Sequence, residues 1–351
     1  MRSYLYGLAT DKYRGFFTLL PKAVLWMLSL IYGSLVKILA FIYLFKPQRL
    51  KAKVVSIGNI TLGGSGKTPL VEFTVRLLTG QGRKVAVLSR GYKRRRQSGW
   101  ESMGDEPYML EQKLGGIPVI IDKDRVRSAN LAVDDYGVDT VILDDGMQQW
   151  RIKKDLEVVT IDATEPFGNG YLLPRGILRE PLSALKRADI FVLTKTNLNP
   201  DIQDIKDQLR RFNRKAPIVE SAHKPIDLLP IDGPPEIVAL EALKGKRATL
   251  LSGIADPDSF ENLILSLGCK PVLHLRFPDH HRYSQRDINR AIADSQRNSI
   301  DTIITTQKDA VRLQGLQGAE IDVRFLALRI ALEMVRNEEE FRSRLLRLYS
   351  A

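Results

Sequence analysis

The 351-residue sequence is poor in cysteine and histidine, with one cysteine and four histidines. A single cysteine, Cys269, excludes an intrachain disulfide and a metal centre held by several cysteines. It is typical of a protein from a reducing compartment, and we expect Cys269 to be a small buried apolar side chain. No repeat of fixed period and no low-complexity tract is recognisable, which argues against a repeat architecture.

Acidic residues are outnumbered, with 41 aspartates and glutamates against 53 lysines and arginines and a formal net charge of +12. A basic protein favours acidic partners, such as nucleic acid, anionic lipid or a phosphorylated substrate, and charge alone does not rank the three. No nucleic-acid partner is expected, because no nucleic-acid-binding signature accompanies the charge. The length predicts two domains with room for a sizeable core.

One long apolar run lies near the N-terminus, over residues 16–45. A signal peptide is not favoured, because the run is too long and no small-residue cleavage site follows it. Its uncharged part, residues 23–36, is bounded by Lys22 and Lys37 and is shorter than the roughly 20 residues of a spanning helix. Residues 1–50 are therefore predicted to contain a helix lying in the membrane interface, where aromatic side chains and lysines are favoured. A spanning helix and an ordinary buried helix are the alternatives.

The rest of the chain alternates between apolar β-branched runs and segments with helical spacing. Because the apolar runs are continuous, the strands are expected to be covered on both faces, as in the mostly parallel sheet of an α/β/α sandwich. We predict a phosphate-loop NTPase-like kinase domain over residues 51–224 and a smaller α/β domain over residues 225–351. A proline-rich stretch, residues 215–247, is predicted to connect them, and residues 331–351 are predicted to form a charged amphipathic helix.

The segment GNITLGGSGKTP, residues 58–69, follows a predicted strand and precedes a predicted helix, which is the context of a phosphate-binding loop. The usual pattern has a glycine at the position of Thr61, so the loop is expected to bend at Gly63 and Gly64 instead. Lys67 is expected to contact the β- and γ-phosphates of a nucleotide, and Thr68 to present its hydroxyl to Mg²⁺. The predicted nucleotide-binding residues are Thr61, Gly63, Gly64, Ser65, Gly66, Lys67 and Thr68.

An apolar run that ends in two carboxylates, VILDDG, is a second sign of a nucleotide site. Such a strand would carry Asp144 and Asp145 to the carboxyl edge of the sheet, beside the phosphate-binding loop, where a carboxylate can hold Mg²⁺. Adjacent side chains point to different sides, so at most one of the two is expected to contact the ion directly. A turn with two solvated carboxylates is the alternative.

Three further motifs are weaker when taken alone. GDEP places Asp105 and Glu106 after the second predicted strand, where they can reach phosphates, although a plain helix start is the more ordinary explanation. FPDHHRYS contains His280 and His281, which suit an acid, a base or a phosphate contact, with a purely structural role as the alternative. A zinc site is not favoured, because no cysteine cluster or H-x-x-x-H spacing accompanies them. FGNGYLLPRGILREP, residues 167–181, predicts a substrate-binding loop or a surface excursion. Its candidate substrate contacts are Asn169, Arg175 and Arg179.

Taken together, these motifs resemble those of the tetraacyldisaccharide 4′-kinase family, which phosphorylates the 4′-position of a tetraacylated glucosamine disaccharide 1-phosphate in the lipid A pathway. The shared motifs are GNITLGGSGKTP, SRGY, GDEP, LDDGMQQ, FGNGYLLPRGILREP, SGIADPDSF, FPDHHRYS and TTQKDAVRL, which follow the family order. In this family the first glycine of the phosphate loop is not required. The resemblance implies two α/β domains, ATP and Mg²⁺ as cofactors, and an acylated phosphodisaccharide lipid as substrate. It also implies an N-terminal helix on the cytoplasmic face of the bacterial inner membrane, held peripherally or monotopically, and a monomer is favoured.

The resemblance also implies roles for individual residues. Asp105 would act with His280 as the base that activates the sugar hydroxyl, while Glu106 would help to hold Mg²⁺. Because Asp105 and His280 fall in different predicted domains, they are expected to meet only across the cleft between them. The family's loop residues and metal-binding carboxylates coincide with positions named above, which are Lys67, Thr68, Asp144 and Asp145.

The sequence departs from the family pattern at two places. The family usually reads DDGFQH where this chain has DDGMQQ, so the role of that histidine does not transfer to Gln149. It often reads SRGYGG where this chain continues SRGYKRRR, which adds positive charge at residues 93–96. A phosphate-loop NTPase that acts as a switch or chaperone is the alternative function. ATP consumption that depends on a lipid acceptor would distinguish the kinase from the switch.

Overall fold

The computed structural model describes residues 2–13, 15–90, 104–199, 201–231, 236–316 and 323–350. The basic segment at residues 93–96 lies outside the described residues. The chain divides into two compact units. Unit 1 comprises Met1–Gly91, Leu114–Ala222 and Leu332–Ala351, and unit 2 comprises Tyr92–Lys113 and His223–Ala331.

Helices and strands alternate along most of the described chain. The strands are β1 (Lys53–Asn59), β2 (Val85–Ser89), β3 (Val119–Ile121), β4 (Thr140–Asp144), β5 (Leu156–Asp162), β6 (Ile190–Thr194), β7 (Ile218–Pro230), β8 (Arg247–Ser252), β9 (Lys270–Arg276), β10 (Thr302–Thr306) and β11 (Arg324–Arg336). The helices are α1 (Arg2–Ala9), α2 (Leu19–Phe45), α3 (Lys67–Gly80), α4 (Asp105–Leu114), α5 (Arg125–Tyr136), α6 (Gln203–Phe212), α7 (Pro257–Ser266), α8 (Gln285–Arg297), α9 (Gln307–Leu313) and α10 (Glu338–Leu346).

A parallel sheet forms the core of unit 1, with its strands in the order β3-β2-β4-β1-β5-β6-β7. Every residue of β2, β4 and β6 is buried, as expected for strands that are covered on both faces. In a parallel sheet the carboxyl ends of all strands lie at the same edge. The phosphate-binding loop after β1 and the carboxylates at the end of β4 therefore lie together, as the sequence predicts.

The apolar helix α2 belongs to unit 1, and most of its surface is exposed. The stretch Phe16–Phe45 is long and apolar enough to cross a membrane, by length and composition only, and only 17% of its most apolar window is buried. Its buried positions include Ser29 and Gly33. A Cβ added at Gly33 would lie 2.6 Å from Leu172 Cδ1, so this side of the helix packs closely on residues 167–181. Such exposure is not that of an ordinary core helix.

Unit 2 has its own parallel strands, in the order β11-β10-β8-β9. Local sequence signals start its helices. Asp256 and Thr306 accept hydrogen bonds from the first turns of α7 and α9, and Ser284 and Asp287 form a capping box at the start of α8. These caps fix the loops at the carboxyl ends of β8 and β10, which carry the side chains described below.

The division into units differs from the predicted boundaries in two segments. Residues 92–113 cluster with unit 2 and residues 332–351 with unit 1, although the break at Ala222 and His223 is close to the predicted one. The proline-rich stretch is not an irregular connection, because it contains the 13-residue strand β7. Its Pro225 lies beyond the residues that pair with β6 and is tolerated there. The predicted C-terminal helix is also shorter than expected, because residues 331–336 belong to β11 and α10 begins only after Asn337, whose φ is 61°.

Candidate active site

The phosphate-binding loop joins β1 to α3. Left-handed backbone occurs at Gly63 (φ 112°) and Gly66 (φ 73°) and not at Thr61, so threonine is compatible with the position where the usual pattern has glycine. The bend predicted at Gly63 and Gly64 is thus made at Gly63 and Gly66. Thr61 instead forms an antiparallel bridge with Leu178, which ties the loop to residues 167–181.

Gly58, at the end of β1, is required for a different reason. A Cβ at this position would lie 2.4 Å from the backbone nitrogen of Met147, so a larger residue would collide with the turn after β4. Ser65 is 2% exposed, and its hydroxyl lies 2.8 Å from that of Thr160 on β5. Its carbonyl accepts a hydrogen bond from Thr194 on β6. These contacts hold the loop at a fixed distance from the strand ends.

Lys67 is the first residue of α3 and lies among polar groups of the strand ends. Its Nζ donates to Asn59 Oδ1 (3.0 Å) and lies 3.7 Å from Asp145 Oδ1. Arg179 Nη1 donates to the same Asp145 oxygen at 2.7 Å. Burial alone would raise the pKa of Asp145, but the charges of Lys67 and Arg179 outweigh it and hold that pKa below its usual range. Because two cations face one ionised carboxylate, the site carries a net positive charge that favours binding of a phosphate group.

The two carboxylates after β4 have different surroundings. Asp144 is 5% exposed and accepts a hydrogen bond from the Ser89 hydroxyl at 3.1 Å. Asp145 has a φ of 58° and carries its side chain to the cations described above. Their contrasting partners agree with the expectation that adjacent side chains point to different sides. Which of them contacts a metal ion stays a prediction.

Asn169 and Arg175, two of the predicted substrate contacts, hold the N-terminal segment in this structure. Arg175 pairs with both carboxylate oxygens of Asp11, with Nη2–Oδ1 at 3.0 Å and Nη1–Oδ2 at 3.2 Å. Asn169 Nδ2 and Lys22 Nζ lie 2.8 and 2.6 Å from the same carboxylate. Burial alone would raise the pKa of Asp11, but these hydrogen bonds and charges outweigh it and lower the pKa to about 2. A substrate contact by Asn169 or Arg175 stays a prediction.

In unit 2, Asp105 and His280 are in direct contact. Asp105 begins α4, and His280, whose φ is 59°, lies in the turn after β9. The distance from His280 Nδ1 to Asp105 Oδ2 is 2.9 Å. Both residues belong to the same unit, so the expectation that they meet only across a cleft between domains does not hold. Helix α4, which begins at Asp105, clusters with unit 2, which the sequence alone did not indicate.

A buried arginine fixes Asp105 from the other side. Arg312 is 1% exposed, and its Nε and Nη2 lie 2.8 and 2.6 Å from Asp105 Oδ2. Burial alone would raise the pKa of Asp105, but the hydrogen bond to His280 and the charge of Arg312 outweigh it and lower that pKa to about 2. Asp105 is therefore ionised at neutral pH and held in one orientation.

Arg312 is in turn held by Asp309, which is fully buried. Arg312 Nη1 donates to Asp309 Oδ1 at 3.0 Å, and the Tyr283 hydroxyl donates to the same oxygen at 3.0 Å. The backbone nitrogen of Gly253 also donates to this carboxylate, while the Gly253 carbonyl accepts from Arg312 and from the His280 backbone nitrogen. One connected network thus positions both members of the Asp105–His280 pair.

Glu106, the predicted magnesium ligand, faces a cation in this structure. Lys308 Nζ lies 3.3 Å from Glu106 Oε1 and 3.5 Å from both Asp279 Oδ1 and His280 Nε2. The Glu106 side chain is 42% exposed, so it can exchange this partner for another. No group of three or more metal-ligating side chains is found within the described parts of the chain. Metal binding by Glu106 stays a prediction.

Asp309 and Arg312 position Asp105 in this network, and the sequence analysis predicts no role for either residue. Both lie in the motif TTQKDAVRL, where their spacing of three residues on a helix indicates an ion pair between them. Their connection to Asp105 was not predictable, because Arg312 lies 207 positions from Asp105 along the chain.

A parallel α/β unit with a phosphate-binding loop and strand-end carboxylates defines the class of phosphate-loop nucleotide-binding proteins. Residues 21–350 match the family model of tetraacyldisaccharide-1-P 4′-kinase, LpxK. The chain belongs to this family and is a kinase by that membership.

Similar proteins support the assignment over most of the chain. A tetraacyldisaccharide 4′-kinase of Halothermothrix orenii is 36% identical, with 89% of this chain and 88% of that protein covered. Another, of Desulfatibacillum aliphaticivorans, is 36% identical with 92% of each covered. Among solved structures, LpxK from Aquifex aeolicus in complex with ATP is 29% identical with a TM-score of 0.75, covering 94% of this chain and 99% of that one.

Proposed function

We propose that this chain transfers the terminal phosphoryl group of ATP to the 4′-hydroxyl of a tetraacylated glucosamine disaccharide 1-phosphate. The observation that carries the proposal is the hydrogen-bonded Asp105–His280 pair in a chain that also has a phosphate-binding loop. A switch or chaperone needs the loop but has no use for such a pair. Phosphorylating a sugar hydroxyl needs both, because the hydroxyl is a weak nucleophile until a base accepts its proton.

The nucleotide phosphates would be held by the loop backbone and by Lys67. Gly63, Gly64 and Gly66 leave backbone N–H groups accessible to phosphate oxygens, and Lys67 adds a positive charge at the start of α3. Arg179, which reaches Asp145 beside Lys67, would supply a second charge. Asp145 and Asn59 contact these cations, so ATP would compete with polar partners for them.

The residues expected to hold Mg²⁺ fit that ion, because all of them offer oxygen. The Thr68 hydroxyl and the carboxylates of Glu106, Asp144 and Asp145 are hard ligands, and the lowered pKa of Asp145 keeps it ionised. When bound, Mg²⁺ would neutralise charge on the transferred phosphoryl group. Asp144 and Asp145 would hold the ion from β4, directly or through water.

Asp105 and His280 would activate the acceptor as a pair. With a pKa near 2, Asp105 by itself is a weak base at neutral pH. As a hydrogen-bond acceptor, however, it can hold the imidazole with Nδ1 protonated, so that Nε2 is the atom able to take the hydroxyl proton. Asp105 would then orient the histidine and stabilise the imidazolium that forms.

The lipid substrate and the exposed helix α2 suggest where the protein works. Tyr32 on α2 donates a hydrogen bond to the Arg179 carbonyl, and Gly33 packs on Leu172, so the helix is attached to the predicted substrate loop. We propose that α2 lies on the cytoplasmic face of the bacterial inner membrane and brings this loop to a membrane-embedded acceptor. A monomer suffices for this arrangement.

The proposal is tested by the dependence of ATP consumption on the acceptor. The wild-type protein should release ADP and form 4′-phosphorylated lipid in equal amounts, and Lys67→Ala should lose about 100-fold or more of this turnover while remaining folded. Lys51→Ala, an exposed lysine before β1, serves as the control and should keep its activity. ATP hydrolysis that is the same with and without the lipid would favour the switch function instead.

A further inference from the structure

Arg125 is a buried cation to which no role has been given. It is the first residue of α5 and is 2% exposed. One nitrogen, Nη1, donates to the Asp122 carbonyl. Its Nε and Nη2 are buried without a hydrogen-bond partner among the residues that the structure describes.

A buried guanidinium with two unused donors is unfavourable for folding. Burial lowers the pKa of Arg125 to about 10, and it does so although the carboxylates of Asp144 and Asp145 act in the opposite direction. The group is still charged at neutral pH, and a buried charge is normally paired and fully hydrogen-bonded. An incomplete set of protein partners is expected where a ligand supplies the missing ones.

Hydrogen bonds connect the surroundings of Arg125 to the ends of strands β2 and β4. Its partner Asp122 donates a backbone hydrogen bond to the Ser89 carbonyl at the end of β2. The Ser89 hydroxyl donates to Asp144 at the end of the neighbouring strand β4. Arg125 therefore lies near the carboxyl ends of β2 and β4, beside the carboxylates that are proposed to hold Mg²⁺.

We propose that Arg125 binds a phosphate group through its Nε and Nη2 donors. A guanidinium presents two parallel N–H groups that match two oxygens of a phosphate, and in a site closed to water this contact is strong. The proposal rests on the proposed kinase function, which offers two sources of the phosphate: the terminal phosphate of ATP and the 1-phosphate of the lipid acceptor. Binding either one would complete the partners of the buried cation.

The experiment compares Arg125→Gln and Arg125→Lys with the wild-type protein. Arg127→Gln is the matched control, because Arg127 lies on the same helix but is exposed. We expect Arg125→Gln to weaken one ligand by roughly 10- to 100-fold, and Arg125→Lys to fall between it and the wild type, because lysine keeps the charge without the paired donors. The Kd for Mg-ATP without acceptor reports the first source, and the KM for the lipid at saturating ATP reports the second.

Thermal unfolding without ligands separates binding from a structural role. Because two donors of the buried charge have no hydrogen-bond partner among the described residues, Arg125→Gln should unfold at the same temperature as the wild type or higher. A lower unfolding temperature together with unchanged Kd for Mg-ATP and unchanged KM and kcat for the lipid would make Arg125 a counter-ion of Asp144 and Asp145 and overturn the proposal. The Mg-ATP measurement needs no turnover, so it tests Arg125 even if the lipid proves not to be the acceptor.

Discussion

Asp105 contacts a buried arginine on one side and a histidine on the other. This arrangement predicts how substitutions of Asp105 and His280 change kcat. Asp105→Asn is the informative variant, since alanine would leave the buried Arg312 without its partner. Asp105→Asn and His280→Ala should each lower kcat about 100-fold or more, with little change in the Kd for ATP. The double variant should be scarcely slower than the slower single one, because residues that act as a unit have non-additive effects.

The control for this cycle is the neighbouring histidine. His281 stacks on Phe277, and its Nε2 lies 3.3 Å from Asp287 Oδ2 in the first turn of α8. His281→Gln should therefore keep kcat within a few-fold of the wild type. The measurement is kcat at saturating lipid acceptor for all the variants. If the losses of Asp105→Asn and His280→Ala multiply in the double variant, the two residues act independently and the pair is not a catalytic unit.

The lowered pKa of Asp105 also predicts a pH dependence of stability. A carboxylate whose pKa falls from 3.8 to about 2 on folding stabilises the folded state above pH 4, by on the order of 2 kcal/mol. That contribution is lost as the pH falls from about 4 towards 2. The free energy of unfolding of the wild type should therefore exceed that of Asp105→Asn at pH 6 and approach it by pH 2.5.

Urea unfolding followed by circular dichroism at both pH values would measure this difference. Asp207→Asn, on the exposed side of α6, should show no comparable change. A gap between wild type and Asp105→Asn that stays constant down to pH 2.5 would mean that the ion pair with Arg312 does not set the pKa of Asp105.

Among the helices and strands, those next to the phosphate-binding loop were predictable from sequence. Strand β1, helix α3 and strand β4 each have a local signal, namely a continuous apolar run, a glycine loop or a terminal pair of carboxylates. These signals also placed Lys67 and Asp145 at one edge of the sheet, where they lie 3.7 Å apart. Local patterns suffice here because parallel strands bring their carboxyl ends together whatever else the chain does.

Elements whose place depends on distant residues were not predictable in the same way. Helix α4 follows a strand of unit 1 in sequence, yet it packs with unit 2, where Arg312 and His280 contact its first residue from 207 and 175 positions away. The sequence predicts helix at the end of β11, and this prediction is wrong, because the charged and apolar residues there fit both periodicities over a short span. Arg125 gave no signal either, since its burial arises from tertiary packing.

Residues 167–181 contact both the N-terminal segment that includes α2 and the predicted phosphate site. Asp11 is held by Arg175, Asn169 and Lys22, and Tyr32 reaches the Arg179 carbonyl. Arg179 itself contacts Asp145 in the phosphate site. The exposed apolar helix is thereby connected through a single loop to the groups that are proposed to bind ATP.

The whole protein combines a net charge of +12 with an exposed apolar helix, which predicts binding to anionic membranes. Met27, Ile31 and Ile38 on α2 are 61%, 59% and 55% exposed, and each would bury apolar surface in a bilayer. Changing all three to serine should reduce flotation with anionic vesicles at least about tenfold, while the Kd for ATP is unchanged. Higher salt should weaken the binding of the wild type further, because it screens the attraction between the basic protein and the lipid headgroups.

A matched variant distinguishes membrane insertion by α2 from non-specific adsorption through other exposed apolar residues. Ile226 and Ile237 of unit 2 are 50% and 61% exposed, but they lie on no apolar helix. Changing both to serine should leave flotation as it is in the wild type, since single exposed apolar residues do not form a continuous membrane-binding face. Equal flotation of the α2 variant and the wild type would show that charge alone holds the protein on vesicles, and α2 would then need another apolar partner to cover it.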